Sequence, residues 1–198
     1  MLERIGVGEP VRLFVGGLHG REGIITKHVL EDVSRKVENG SLILCNLSIK
    51  SKYISTLDPK YYQIRSGKHL LLLIRKYRPE IYIELHSYQR KYYSNLTASD
   101  RTKERGVPPL VDLEDGILLG SVSPVIRTTE FKKNDLCLSL DIPTDINDLQ
   151  KIVNILNTAT SSCNRFEFLE KLRKAYPAQI QMAEKNFIEY FKKRSAPS

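Results

Sequence analysis

The chain reads VRLFVGGLHGRE over residues 11–22, and this stretch decides the fold. Residues 11–15 are mostly apolar and run into two consecutive glycines, a pattern typical of a buried strand that ends in a loop. From Glu22 the apolar positions recur at helical spacing, and we expect that helix to end at Asn39-Gly40, because glycine commonly terminates helices. A second strand is predicted for residues 41–47. Strand, helix and strand in this order predict a βαβ unit with parallel strands.

A second helix and a third strand follow in the same order. The leucines and isoleucine of residues 70–77 lie at helical spacing, and Pro79 stops the pattern. Residues 81–86 then alternate between the two faces of a strand, and His86 is its expected last residue. The carboxyl ends of parallel strands meet at one edge of a sheet, so this edge is the expected ligand site.

The remaining chain predicts the rest of the sheet and a helical end. We expect strands at residues 117–122 and 136–142, whereas residues 87–115 lack strong periodicity and indicate a long excursion. Residues 145–198 predict two or three helices. The whole pattern predicts an α/β fold in a single domain, residues 1–198, with three α/β/α layers around a mixed, mostly parallel sheet.

The composition of the chain bears on whether the protein binds a membrane or nucleic acid. The longest apolar run, Leu70 to Ile74, is far shorter than the roughly 20 residues that cross a bilayer. The first residues also lack the apolar core of a signal peptide, so we expect a cytoplasmic protein without a membrane partner. The net charge of +8 is spread along the chain. Basic residues with tyrosines at 89–93 could stack on nucleic acid, but without a nucleic-acid-binding motif a solvated loop or a pocket rim is favoured.

Two histidines and a glutamate are the candidate metal ligands. His19 and Glu22 lie just after the first predicted strand, and His86 lies at the end of the third. Two imidazoles and one carboxylate leave a fourth position open for water, which is the ligand set of several catalytic zinc sites. A His-x-x-Glu pair alone is weak evidence, since a histidine at a helix start often caps or packs. The three residues together predict a Zn²⁺ site.

The segments around these ligands resemble known zinc hydrolases. Residues 16–22, GGLHGRE, resemble the Gly-Gly-x-His-Gly-x-Glu segment of the aspartoacylase and succinylglutamate desuccinylase branch. Residues 85–88, LHSY, resemble the strand-end histidine segment of zinc carboxypeptidases. The whole chain, including residues 51–58 and 120–124, is similar to an uncharacterised archaeal protein family that we take for a short relative of those hydrolases. The resemblance implies a carboxypeptidase-like fold over about the first 145 residues.

The resemblance also implies a general base, and the strand pattern, which sets Glu84 on the same face as His86, offers a partner for one ligand. The position that best matches the glutamate base of these hydrolases is Asp141, which is one methylene shorter. A misplacement of about 1 Å can cost about 10²-fold in rate. Alternatively, Asp141 caps Thr144 or Asp145 nearby or pairs with a cation. Glu84 is expected either to hold His86 in one tautomer or to be a structural acid.

The substrate-binding residues implied by the resemblance depart from the family pattern. The related hydrolases clamp a substrate carboxylate with arginine, whereas Lys52 stands in the matching segment here. Arg127 could replace the clamp from another loop, or it could be a surface arginine paired with Glu130. Tyr88, beside the third ligand, is a further candidate for contact with the substrate.

These residues favour a zinc-dependent hydrolase of an amide or acyl bond in a small anionic substrate, such as an N-acyl amino acid or a peptide-like molecule. Two other classes stay open. One is a non-catalytic metal-binding or regulatory protein, which the departures at Asp141 and Lys52 favour. The other is a nucleic-acid-associated protein that uses the basic surface.

Overall fold

The computed structural model describes residues 1–47, 49 and 53–195, which form seven strands and eight α-helices. The strands are β1 (Leu2–Gly6), β2 (Val11–Gly16), β3 (Ser41–Asn46), β4 (Ile81–Tyr88), β5 (Val111–Glu114), β6 (Ile117–Ser121) and β7 (Leu136–Pro143). The helices are α1 (Gly23–Asp32), α2 (Arg65–Tyr77), α3 (Tyr93–Thr97), α4 (Arg101–Arg105), α5 (Pro124–Thr129), α6 (Gln150–Thr160), α7 (Arg165–Ala175) and α8 (Pro177–Ser195). Short 3-10 turns cover Gly20–Glu22, Pro59–Gln63 and Arg90–Tyr92.

The strands form one mixed sheet in the order β1-β3-β2-β4-β7-β6-β5. Its four central strands, β3, β2, β4 and β7, are parallel to one another. The outer strands β1, β6 and β5 pair antiparallel. Parallel strands are usually covered on both faces, and every residue of β3 is buried. The predicted α/β fold with a mixed sheet and C-terminal helices is therefore confirmed.

Helices cover both faces of the sheet. Leu30 of α1, Ile152 of α6 and Phe168 of α7 belong to one core cluster. Leu70 of α2 and Ile126 of α5 belong to a second cluster on the opposite face. In the part of the chain described above, no helix is both long and apolar enough to span a bilayer.

The first helix is shorter than predicted. It ends at Asp32, and Val33 is already extended, whereas the sequence predicted a helix reaching Asn39-Gly40. The backbone N–H of Ser34 donates to Asn157 Oδ1 at 2.8 Å, a tertiary contact that takes the chain away from the helix axis. Residues 34–40 also lack the apolar periodicity that would have extended the helix.

The predicted excursion over residues 87–115 contains regular structure. β4 continues past His86 to Tyr88, so His86 is not the last strand residue. The rest of the segment holds α3, α4 and β5. These elements are four or five residues long, too short for periodicity to identify. The N-terminal strand β1 was also not predicted, because it is a half-exposed edge strand.

The contacts of Arg12 explain why β2 can hold a buried arginine. Arg12 is fully buried. Its guanidinium donates to the backbone oxygens of Ala159 and Asn39, each at 2.8 Å, and to that of Ser162. These bonds tie β2 to the end of α6 and to the loop after α1.

Candidate metal centre

The backbone brings the three predicted ligands to one edge of the sheet. β2 and β4 are adjacent and parallel. His19 lies in the loop after β2, Glu22 lies in the 3-10 turn before α1, and His86 lies near the end of β4. Thr26 fixes the turn, since its hydroxyl donates to the backbone oxygen of Glu22 at 2.9 Å. The predicted meeting of His19, Glu22 and His86 is present in the structure.

The distances within the triad fit a metal ion. One ligand atom from each of the three residues lies within 4.8 Å of the others. Oε2 of Glu22 lies 3.1 Å from His19 Nδ1 and 3.6 Å from His86 Nδ1. Ligands about 2.0–2.1 Å from a tetrahedral zinc lie about 3.3 Å from one another. The two observed distances are therefore close to the separation of neighbouring ligand atoms in such a site.

His19 also has an unsatisfied nitrogen. Its Nε2 is buried and has no hydrogen-bond partner among the described residues. The rings of Tyr53 and Tyr61 flank the imidazole, with centroids 4.9 and 5.2 Å away. The Tyr61 hydroxyl donates to the backbone oxygen of Leu18 at 3.1 Å, which holds the loop that carries His19. A buried imidazole that lacks its full set of partners is consistent with a ligand role.

Glu84 lies where an orienting partner of His86 is expected. Its Oε2 is 3.2 Å from His86 Nε2, and its Oε1 accepts a hydrogen bond from the Tyr82 hydroxyl at 2.8 Å. The side chain is only 1% exposed. With the Nε2 proton directed to Glu84, the Nδ1 lone pair of His86 faces Glu22 and is available to a metal.

The electrostatics of the triad favour bound positive charge. Burial raises the pKa of Glu22, but hydrogen bonds from His19 and His86 outweigh burial and lower it to about 2. Burial lowers the pKa of His86, but hydrogen bonds to Glu22 and Glu84 outweigh this effect and raise the pKa well above its ordinary value. The same surroundings that stabilise a protonated imidazole at His86 would stabilise a metal cation, and metal and proton would compete for the site.

Asp141 lies directly beside the third ligand. β4 and β7 pair in parallel, and the register sets His86 opposite Asp141. The Ser139 hydroxyl donates to Asp141 Oδ1 at 2.6 Å. Burial raises the pKa of Asp141, although His86 and Ser139 oppose the shift. The alternative role as a cap of Thr144 is wrong, because that N–H donates to the backbone oxygen of Tyr88.

Arg127 is placed differently from the predicted surface arginine paired with Glu130. It lines the cavity of the triad, but its guanidinium donates to the backbone oxygens of Lys132, Lys133 and Asp135 at 2.9 to 3.3 Å. It is not a surface arginine paired with Glu130, since it is 7% exposed. The side chain therefore stabilises the loop before β7, and its role as a clamp stays a prediction.

The Glu130 carboxylate instead pairs with Arg75, whose Nε and Nη2 lie 2.8 and 2.7 Å from it. Tyr88 lines the cavity, and its hydroxyl donates to the backbone oxygen of Gly116 at 2.6 Å. Lys52, the other predicted anion-binding residue, lies outside the described residues.

Two further arginines on α4 were missed by the sequence analysis. Arg101 and Arg105 are one helical turn apart, and both line the cavity of the triad. Burial lowers the pKa of Arg101, and the negative charge of Asp141 opposes that shift. The guanidinium of Arg101 and the carboxylate of Asp141 therefore interact electrostatically. The four-residue spacing of the arginines is the signal that the sequence offers, but a helix of five residues is too short for its periodicity to identify it.

Comparison with known proteins places the chain in a family without assigning an activity. Residues 7–192 match DUF2119, described as "Uncharacterized protein conserved in archaea". The chain is also 39% identical over 192 residues to "Uncharacterized protein MJ0501" of Methanocaldococcus jannaschii, covering 92% of this chain and 90% of that protein. No solved structure matches it, so the relationship to carboxypeptidases and aspartoacylases stays a prediction. By its match over almost its full length, the chain belongs to the archaeal family DUF2119.

Proposed function

We propose that this protein is a zinc-dependent hydrolase of an amide or acyl bond in a small anionic substrate, such as an N-acyl amino acid. The observation that carries the proposal is the meeting of His19, Glu22 and His86 within 4.8 Å. Imidazole nitrogens favour zinc over magnesium or calcium, which prefer oxygen ligands. Three protein ligands also leave a coordination position for water or substrate.

The residues around the triad support a division of roles. A zinc ion would polarise the scissile carbonyl and lower the pKa of a bound water. Glu84 orients His86 through Nε2. Asp141, opposite His86 in the register, is the group placed to accept a proton and pass it to the leaving group. Its raised pKa suits that role, because a carboxyl that titrates nearer neutrality can both take up and release a proton.

The cationic residues of α4 support an anionic substrate. Arg101 and Arg105 line the same cavity as the triad. Arg127 donates to three backbone oxygens through both of its Nη nitrogens, whereas Arg101 donates through Nη1 to the backbone oxygen of Pro108, so α4 is the better source of anion binding. A guanidinium recognises a carboxylate through two parallel hydrogen bonds.

The second candidate is a metal-binding protein without hydrolytic activity. It is favoured by the hydrogen bond that already occupies Asp141 Oδ1, which Ser139 donates at 2.6 Å. In that protein the zinc would stabilise the turn around Glu22 and the end of β4, without turnover.

Metal analysis combined with a substrate screen separates these possibilities. We expect protein purified without a polyhistidine tag to hold about one zinc per chain. The zinc-loaded protein should hydrolyse members of a panel of N-acyl amino acids. His86→Ala should lose both zinc and hydrolysis, whereas His28→Ala, which changes an exposed histidine of α1, should keep both. Protein that refuses added zinc would refute both candidates, and zinc without hydrolysis would favour the second.

A further inference from the structure

The cavity of the metal triad is larger than a short N-acyl amino acid requires. Its volume is about 1580 Å³. Small-molecule sites usually enclose about 300–1,000 Å³. We propose that the substrate is an amphiphile with a long aliphatic acyl chain, which binds in the apolar part of the cavity beside α8. This inference rests on the proposed hydrolase function for the location of the scissile bond.

The cavity is continuous from the metal ligands to α8. The same cavity is lined by the three ligand residues, by Asp141 and by an apolar group drawn from several elements. The apolar group includes Leu110, Val122, Leu138, Leu169, Phe187 and Phe191. Transfer of a hydrocarbon chain from water to contact with such side chains is favourable. An acyl chain that begins at the metal can therefore extend along this wall.

The charges in the cavity suit the two ends of such a substrate. Arg101 and Arg105 lie on α4, which follows the strand that carries His86. Near α8 the cavity also contains Glu184, but this carboxylate pairs with Arg173 through Nε at 3.1 Å. The cationic side chains of α4 can bind the anionic head group of the substrate, and the apolar wall beside α8 can bind its acyl chain.

Exposed apolar residues on α8 mark the surface where the chain would bind. Phe187 is 36% exposed and Ile188 is 48% exposed, and both line the cavity. A bound chain would cover this apolar area. Met182 is 50% exposed on the same helix and does not line the cavity, so it provides a matched control.

The test uses a series of N-acylglycines, from acetyl through hexanoyl, octanoyl and decanoyl to dodecanoyl, with the zinc-loaded full chain. Each buried methylene should tighten binding about fourfold, which is about 15-fold for each step of two methylenes from hexanoyl onward. The measurement is the dissociation constant by calorimetry below the micellar concentration, together with hydrolysis of each compound. A dissociation constant that does not change with the length of the acyl chain would overturn the proposal.

Two variants test where the acyl chain of the substrate binds. Phe187→Asp sets a carboxylate among the apolar side chains of the wall and should abolish most of the gain in affinity from acetyl to dodecanoyl. Met182→Asp should keep the whole gain. A gain that survives in Phe187→Asp, or that both variants lose equally, would overturn the assignment to this wall.

The outcomes also separate this inference from the hydrolase proposal. Binding that tightens with chain length, without hydrolysis of any compound, would support the chain site and refute the hydrolase. Hydrolysis of acetylglycine with a flat binding series would support the hydrolase and overturn the chain site. A flat series with a dimer that Phe187→Asp dissociates would assign the surface of α8 to a second copy, and would overturn the proposal too.

Discussion

The edge of the sheet that holds the metal triad and the wall of the cavity beside α8 are built in different ways. The triad lies at the ends of adjacent parallel strands whose core residues, such as Phe14 and Ile83, are fully buried. The cavity wall combines edge strands, short helices and α8, whose Phe187 and Ile188 are partly exposed. The comparison suggests that rigid strands place the chemical groups, whereas less constrained elements determine the size and polarity of the substrate.

The first prediction tests whether the triad edge carries catalysis as well as metal. Asp141→Asn should keep zinc and the fold but reduce turnover by roughly 10²- to 10⁴-fold, because asparagine cannot accept and release a proton. Zinc content, melting temperature and hydrolysis are measured on the same preparation.

Ser139→Ala is the matched control for this variant. It removes the hydrogen bond to Asp141 Oδ1 but leaves the carboxyl group, so most of the turnover should remain. Unchanged turnover in a zinc-loaded Asp141→Asn protein would end the catalytic assignment of Asp141.

The second prediction concerns the residue behind His86. Glu84→Gln should weaken zinc binding by about 10- to 100-fold, because the amide orients the imidazole less strongly than a carboxylate does. Tyr82→Phe removes the other hydrogen bond of Glu84 and should have a smaller effect, since the carboxylate still faces His86. Competition with a chelator gives both affinities. If Glu84→Gln bound zinc as tightly as the unchanged protein, Glu84 would be a structural acid.

The third prediction is the pH dependence of zinc binding. The pKa of His86 is raised in the metal-free protein, and protonated imidazole cannot bind a metal, so affinity should fall as the pH decreases. Glu22 stays ionised because its pKa is about 2. Below the His86 pKa we expect a loss of roughly tenfold per pH unit, measured by chelator competition between about pH 8 and 6. An affinity that is flat over this range would contradict a ligand role for His86, and His28→Ala should not change the slope.

The same contrast explains what the sequence could predict. The central strands and the triad were predictable, because buried parallel strands have apolar runs and their carboxyl ends meet at one edge. Edge strand β5 and helix α4 were missed, since four or five residues carry too little periodicity. The partners of Arg127 are backbone oxygens of a loop, and no residue type in the sequence indicates which carbonyls will face it.

The last prediction compares the packing of one glycine from each region. A Cβ at Gly16 would lie 2.6 Å from Thr26 Cβ and 2.7 Å from its hydroxyl oxygen. Thr26 cannot move away easily, because it is buried and its hydroxyl lies within hydrogen-bond distance of the backbone oxygen of Glu22, at 2.9 Å, and of Asn46 Oδ1, at 3.0 Å. Gly16→Ala should therefore destabilise the protein by about 1–3 kcal/mol, as overpacking of a tight core usually does.

Gly120, in β6, tests the cavity wall in the same way. A Cβ there would overlap Cδ2 of Leu110, which is the far end of a flexible side chain beside the cavity. Because Leu110 can rotate into that space, Gly120→Ala should cost less than about 1 kcal/mol. For a chain of this length 1 kcal/mol shifts the melting temperature by about 2–4 °C, so thermal unfolding can distinguish the variants. Equal shifts would show that the cavity wall is packed as rigidly as the triad edge, whereas a smaller shift for Gly120→Ala would support a wall that adapts to what it binds.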